Sequence, residues 1–186
     1  MKFKTKVMLL LIILAAILIY GNIKRIGRFI YPIKYSDYIF EYSEKYDLNP
    51  YFVAAVIKNE SNYDNKAISH KSAYGLMQIT DSTGRWAAEK IGIKDYDSSR
   101  LYDPEFNINV GCWYMNYLKG EFNGNVDLML AAYNGGIGNV KKWLKDSEHS
   151  HDGKSLSYIP FKETDLYVKK VKASCSIYKY LYENKK

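Results

Sequence analysis

The carboxylate of Glu60 stands where a carboxylate is out of place. With residues 50–60 taken as a helix at about 100° per residue, Phe52, Val56, Glu60, Val53 and Ile57 fall in that order across an arc of about 140°. Lys58 and Tyr51 face the other way. Glu60 therefore lies inside an apolar stripe, in the helix's last turn. Burial disfavours the charged form of a carboxyl group and raises its pKa. The partial negative charge of a helix C-terminus pushes in the same direction. A carboxylic acid that keeps its proton near neutral pH meets the requirement for a general acid. Periodicity alone also fits an ordinary end-of-helix glutamate that bends into water, so both readings stay open at this point.

The other reactive residue types point to structure. Cys112 sits beside Trp113 in a largely apolar helix, and Cys175 lies in the apolar stripe of the last helix. Neither has a neighbouring His or Lys to activate a thiol, and whether the two pair is not legible. His149 and His151 flank a serine in a polar stretch, which reads as a solvated loop. Two cysteines and three histidines are too few for a disulfide framework or a zinc ribbon. No metal and no cofactor are expected.

The elements that must position Glu60 are helical. Ser36 to Tyr46 is a short amphipathic stretch. Asn49-Pro50 is an N-cap followed by proline at the first helical position, and Asp103-Pro104 repeats that device before Glu105 to Lys119. Asn125 to Tyr133 is a further short helix, closed by Asn134-Gly135-Gly136, and Asn139 to Leu144 is a helical turn or two. Residues 146–157 form an exposed loop. Glu163 to Tyr182 is a long final helix with a stripe at Val168, Val171, Cys175, Tyr178 and Tyr182. Gly75 to Thr80 reads as a short strand or an extended turn. No alternating run is long enough for a substantial sheet. The fold class is mostly α, a single domain.

Charge separates the N-terminus from the body. The chain carries +7, but residues 1–30 hold six basic and no acidic residues, leaving 21 basic against 20 acidic elsewhere. A nucleic-acid-binding domain carries its positive field on the folded part, so nucleic acid is not an expected partner. Met1-Lys2-Phe3-Lys4-Thr5-Lys6 is followed by Val7 to Tyr20 without a charged or strongly polar residue. Extended to Ile23, the segment spans about 25 Å as a helix, short but usable as one membrane crossing. Ile17-Leu18-Ile19-Tyr20-Gly21 offers no A-x-A cleavage site and no cysteine follows, so a retained anchor is preferred to a removed signal peptide. The expected organisation is an anchor (1–22), a juxtamembrane linker (23–34) and a folded domain (35–186), meeting the membrane through residues 7–23. The basic residues on either side of the span balance and leave its orientation open. The 19 tyrosines suit a flat, polar-faced ligand such as a sugar, although buried packing accounts for tyrosine in most proteins.

Several segments together carry a family resemblance. Ala55-Val56-Ile57-Lys58-Asn59-Glu60-Ser61, then Ser69, then Ala73-Tyr74-Gly75-Leu76-Met77-Gln78-Ile79, then Ala131-Ala132-Tyr133-Asn134-Gly135-Gly136, then Ile159-Pro160-Phe161-Lys162-Glu163-Thr164 with Tyr167-Val168, resemble the lytic transglycosylases of bacterial cell walls. The match is to the soluble lytic transglycosylase (SLT) catalytic domain and covers roughly residues 35–182. The resemblance implies a lysozyme-like fold, with Glu60 as the single catalytic acid and base. It implies that Ser69 orients the glutamate or the substrate's N-acetyl group. It implies that Gly75, Leu76, Met77 and Gln78 line the cleft, with Gln78 contacting sugar, and that Tyr133 faces the glutamate, Asn134 holds the adjoining turn and Glu163 contacts substrate. The segment Asp103-Pro104, Asn107 and Gly111 resembles the family's packing segment. The sequence departs from the family where Ser-Pro-x-Gly-Ala is usual: Ser69-His70-Lys71-Ser72-Ala73 stands there, and Thr80 replaces a residue often apolar.

The resemblance further implies the reaction. The partner would be peptidoglycan glycan strands, cut at the β-1,4 bond between N-acetylmuramic acid and N-acetylglucosamine with closure of a 1,6-anhydro ring. It also places the body on the extracytoplasmic side of the cell membrane, single-pass, or secreted if the N-terminal segment is removed. Two other readings remain. One is a lysozyme-type hydrolase on the same fold, which commonly needs a second carboxylate, for which Asp64, Asp81 and Asp95 are candidates by sequence proximity. The other is an inactive glycan-binding scaffold, which has no need of a buried acid.

Overall fold

The structure is a computed structural model describing residues 3–183. The first two residues of the expected anchor and the last three of the expected domain lie outside the described residues. α1 (Phe3–Ile30) leads into α2 (Ser36–Lys45) and α3 (Pro50–Glu60). A two-stranded antiparallel hairpin follows, β1 (Ala73–Tyr74) with β2 (Ile79–Thr80), in register Ala73 to Thr80 and Tyr74 to Ile79. α4 (Asp81–Lys90), a 3-10 turn (Ser98–Tyr102), α5 (Pro104–Glu121), α6 (Val126–Gly135), α7 (Ile137–Lys145) and α8 (Lys162–Tyr182) complete the chain. The described residues are mostly α, as expected. The stretch 75–80 is the turn and second strand of the hairpin.

α3 is the axis of the domain. The Asn49 side chain accepts from the backbone N–H groups of Tyr51 and Phe52 at 3.0 and 3.2 Å, and Pro50 opens the helix. Val53, Val56 and Ile57 are fully buried, as the stripe predicts, but so are Ala54 and Ala55. A helix apolar nearly all round is a core helix. Its most extensive neighbour is α8, whose Val168, Val171 and Tyr178 are buried. Asp103 caps α5 by accepting from Phe106 N–H at 2.8 Å. Many tyrosines do serve packing: Tyr42, Tyr46, Tyr63, Tyr167 and Tyr178 are all buried. Among them Tyr42 donates to Glu105 at 2.9 Å and Tyr46 to Asn109 at 2.7 Å. Cys112 is buried and Cys175 partly so, and both are free thiols.

α5 fixes the hairpin from below. Buried Asn107 donates to the carbonyls of Tyr74 and Leu101 at 2.9 and 2.8 Å and accepts from Met77 N–H at 2.8 Å. Gly75 has φ +72°, and a Cβ there would collide with the Leu101 carbonyl and the Asn107 amide. A Cβ on Gly111 would likewise strike the Met77 sulfur. Asn107 and Gly111, legible as packing positions in the sequence, thus hold the loop that ends at Gln78. In the turn before it, Ser72 stands where the family's glycine is usual and takes φ +53°, a left-handed conformation that disfavours a side chain by about 1 kcal/mol.

The expected linker is largely helical. α1 continues unbroken through residues 23–30, well past the apolar run.

Candidate active site

Glu60 ends α3 on the wall of a cavity of about 170 Å³ that Ser69, Gln78, Tyr133, Asn134 and Glu163 also line. Six sequence-expected residues from five separate segments therefore meet in one place. An adjoining space of about 330 Å³ shares Gln78, Tyr133 and Asn134 and runs on past Tyr114 and Gly136, which makes the two one cleft. Ser61, immediately after the helix, ties its end to the loop by donating to the Leu76 carbonyl at 2.8 Å.

The Glu60 carboxyl is pushed up to about 7 from an ordinary 4.5. Burial is the largest cause. The Tyr167 hydroxyl, a potential donor, works against it, and the nearby Glu163 charge adds to the rise. The result is an acid close to half protonated at neutral pH. The end-of-helix glutamate that escapes into water is not what this chain builds.

Tyr133 donates its hydroxyl proton to the Met77 carbonyl at 2.7 Å, and its ring packs on Tyr114 with centroids 5.6 Å apart. Burial first, then the Glu60 charge, keeps this phenol protonated. The Gln78 backbone has φ +50°, and its side-chain NH₂ donates to the carbonyls of Gly75 and Ala67 at 2.9 and 3.2 Å. That leaves its amide oxygen for the cleft. Ser69 Oγ accepts from Ala73 N–H at 3.1 Å and from Lys71 N–H at 3.3 Å, closing the turn. It makes no direct hydrogen bond to Glu60. Asn134 accepts from Thr164 at 2.8 Å, pinning the end of α6 to the start of α8. Glu163 sits exposed in the first turn of α8.

Three expected cleft residues need correction. Leu76 and Met77 are fully buried, and Gly75 is wedged against α5. They offer no side-chain surface to a ligand. They hold the cleft floor from beneath, and Met77 contributes its carbonyl to Tyr133.

The sequence matches the transglycosylase SLT domain family over residues 37–156. The chain belongs to that family. It is 35% identical to the soluble lytic murein transglycosylase of Escherichia coli K12 over 157 residues, which is 83% of this chain and 24% of that protein. The 70 kDa soluble lytic transglycosylase of Escherichia coli superposes with a TM-score of 0.76 at 32% identity, covering 86% of this chain and 26% of that one. An inactive glutamate-to-glutamine mutant of the lytic transglycosylase Slt from Pseudomonas aeruginosa superposes at 0.72 and 31% identity, over 81% of this chain and 24% of that one. The chain spans about a quarter of the length of these relatives.

The mostly α, lysozyme-like fold expected from the sequence is thus the fold of this SLT domain. Within it the structure adds residues that sequence reasoning missed. Tyr167 is buried, its hydroxyl has no hydrogen-bond partner of normal geometry, and it stands close enough to Glu60 to bias that carboxyl's proton. A signal was present: Tyr167 follows Glu163 by four residues, one turn along the same helical face. His70 and Lys71, in the departing turn, line the cleft as well. Asp64, Asp81 and Asp95 do not; Glu163 is the one other carboxylate that lines the cavity among the described residues. Asp146, Glu148 and His149 lie within 4.8 Å of one another in the outer loop, away from the cleft lining.

Proposed function

We propose that this chain is a membrane-anchored lytic transglycosylase that cuts peptidoglycan between N-acetylmuramic acid and N-acetylglucosamine. The observation that carries the reading is Glu60, a carboxyl held near pKa 7 by burial on the wall of a cleft. Family membership, and a relative that a single glutamate-to-glutamine change inactivates, support a mechanism that depends on one glutamate. Protonated Glu60 gives its proton to the glycosidic oxygen as the bond from the anomeric carbon breaks. The substrate's own acetamido group stabilises the positive charge that develops there. Glu60, now ionised, takes the proton from the muramic C6 hydroxyl, whose oxygen closes onto the anomeric carbon. The acid is restored and no water is consumed. The tethered hydroxyl outcompetes water through its effective concentration. Gln78 and Ser69 orient the acetamido sugar, and Glu163 binds substrate at the open edge.

The anchor is α1. Its apolar window is wholly exposed, and Val7 to Ile19 would face water if the helix stayed in solution. The domain then lies on the extracytoplasmic side, where its substrate is. Lysozyme-type hydrolysis is the second reading, favoured by Glu163 as a second carboxylate in the cavity. Mass spectrometry of peptidoglycan digested by the purified full chain decides between them. The transglycosylase leaves anhydro ends about 18 mass units lighter than the reducing ends of hydrolysis, because water is not added. Reducing ends alone would reject the proposal, as would undiminished cleavage by Glu60→Gln.

A further inference from the structure

The stretch that the sequence marks as a linker is bolted to the catalytic domain. Gly27 lies against Leu181 so tightly that a Cβ would come to 2.5 Å from its Cδ2. Arg28 donates from Nε and Nη2 to the Leu181 carbonyl at 3.0 and 2.8 Å, and its guanidinium lies over the Tyr182 ring at 5.2 Å. That carbonyl is one of the terminal acceptors of α8 that the helix cannot satisfy itself, and a cation is favoured there. Beyond the end of α1, Tyr182 donates to the Tyr31 carbonyl at 2.9 Å and Tyr178 to the Pro32 carbonyl at 3.2 Å. Lys58, two residues before Glu60 on α3, donates to the Ile30 carbonyl at 3.3 Å. The exposed side of this strut mixes charge with apolar surface: Lys24 and Arg25 are exposed, and so are Phe29 at 88% and Ile30 at 56%.

These contacts fix a distance. From Ile23, the end of the apolar run, to Ile30 the helix rises about 10 Å. One lysine side chain and two residues of α3 separate Ile30 from Glu60, which adds at most about 15 Å. The acid is thus held within about 25 Å of the hydrocarbon edge, part of which the headgroups occupy. A free twelve-residue leash would let it roam to about 40 Å.

We propose that residues 24–32 act as a rigid strut, and that the site therefore cuts glycan strands still carried on a membrane lipid, close to their lipid-bound end. This rests on the transglycosylase and anchor readings above. The strut works as a ruler: the height of Glu60 sets how many sugars stay on the lipid after the cut. A strand lying far above the bilayer is out of reach. A strand tethered in the same bilayer is presented at high effective concentration when the two heights match.

The test uses the full chain in vesicles that also carry glycan strands polymerised on a polyprenyl diphosphate, with detached strands in solution as a second substrate. The readout is the length of the lipid-linked stub. Wild type should leave short stubs of narrow length distribution. Inserting seven or fourteen charged, helix-forming residues between Ile23 and Lys24 adds about 10 Å per seven residues with the docking face nearly restored. Stubs should lengthen in step, with cleavage of detached strands unchanged. Gly27→Leu, which undocks the strut, should broaden the stub lengths. The same stub distribution in all four proteins would overturn the ruler, as would a wild type that cuts detached strands and spares tethered ones. A chain that cuts neither substrate overturns the transglycosylase reading instead, and one that does not stay with the vesicles overturns the anchor; the proposal falls with either.

Discussion

Glu60→Gln should make the protein more stable, and only where the glutamate is ionised. The folded-state pKa is about 7 and the ordinary value 4.5. A raised folded pKa means that the folded state binds the proton more tightly than the unfolded state. Its contribution is therefore fully present below about pH 4.5 and is lost as pH rises to 7. Above pH 7 the wild type carries a poorly solvated charge at a penalty of about 3 kcal/mol at most, less what solvent on the open side of the cleft relieves. Glutamine keeps the shape and never ionises. Urea or thermal unfolding of both proteins in the same detergent, from pH 4 to 9, measures the difference. The two stabilities should hold a constant offset near pH 4, diverge between 4.5 and 7, and run parallel beyond. For a chain of this size the divergence corresponds to roughly 6–12 °C in Tm. An offset that does not change with pH would show that Glu60 is not held near neutrality, and the proposed acid would lose its basis.

The neighbours of Glu60 should shift its titration in opposite senses. Glu163→Gln removes a charge that raises the Glu60 pKa, so the alkaline limb of the pH–activity profile should move to lower pH. Tyr167→Phe removes the hydroxyl that lowers it, so that limb should move to higher pH; urea unfolding should show no loss of stability near pH 4, where Glu60 is protonated, and a small loss above pH 7, where its charge is left less supported. Ser72→Gly relieves a left-handed serine and should raise stability by about 0.5–1 kcal/mol in the same unfolding assay, with cleavage unchanged.

Elements whose signals are local were legible in the sequence. Asn49-Pro50 and Asp103-Pro104 mark the starts of α3 and α5, and the stripe over 52–60 places Glu60 on a buried face. What depended on distant partners was not. α4 is rich in Ser, Thr and Gly and has little helical signature of its own; its Thr80 cap and its packing on α5 hold it. Leu76 and Met77 look like cleft residues until Asn107, some 30 residues away, turns them inward. Tyr167 gains meaning only once α8 is known to lie along α3. The docking of residues 24–32 is tertiary throughout: polar Lys24, Arg25 and Arg28 after an apolar run read as a linker, and nothing nearby in sequence names Leu181 as the seat of Gly27 and Arg28.

The pairing of α3 with α8 explains why a carboxyl on a core helix can be poised rather than simply neutral. Burial alone would drive its pKa upward without limit of purpose, and a protonated acid that never ionises cannot act as the base in a second step. α8 supplies two opposed influences from one face: Glu163 adds to the rise, and Tyr167, one turn on, is the one that opposes it. The balance depends on α8 keeping its register against α3, and fully buried Val171 and Tyr178 hold that register from within the core. Tyr178 is also one of the residues that grips the strut through Pro32. The helix that biases the Glu60 proton is therefore also the helix against which Gly27 and Arg28 pack, so under the proposed anchor and mechanism the height of the cleft and its chemistry would rest on the same packed element.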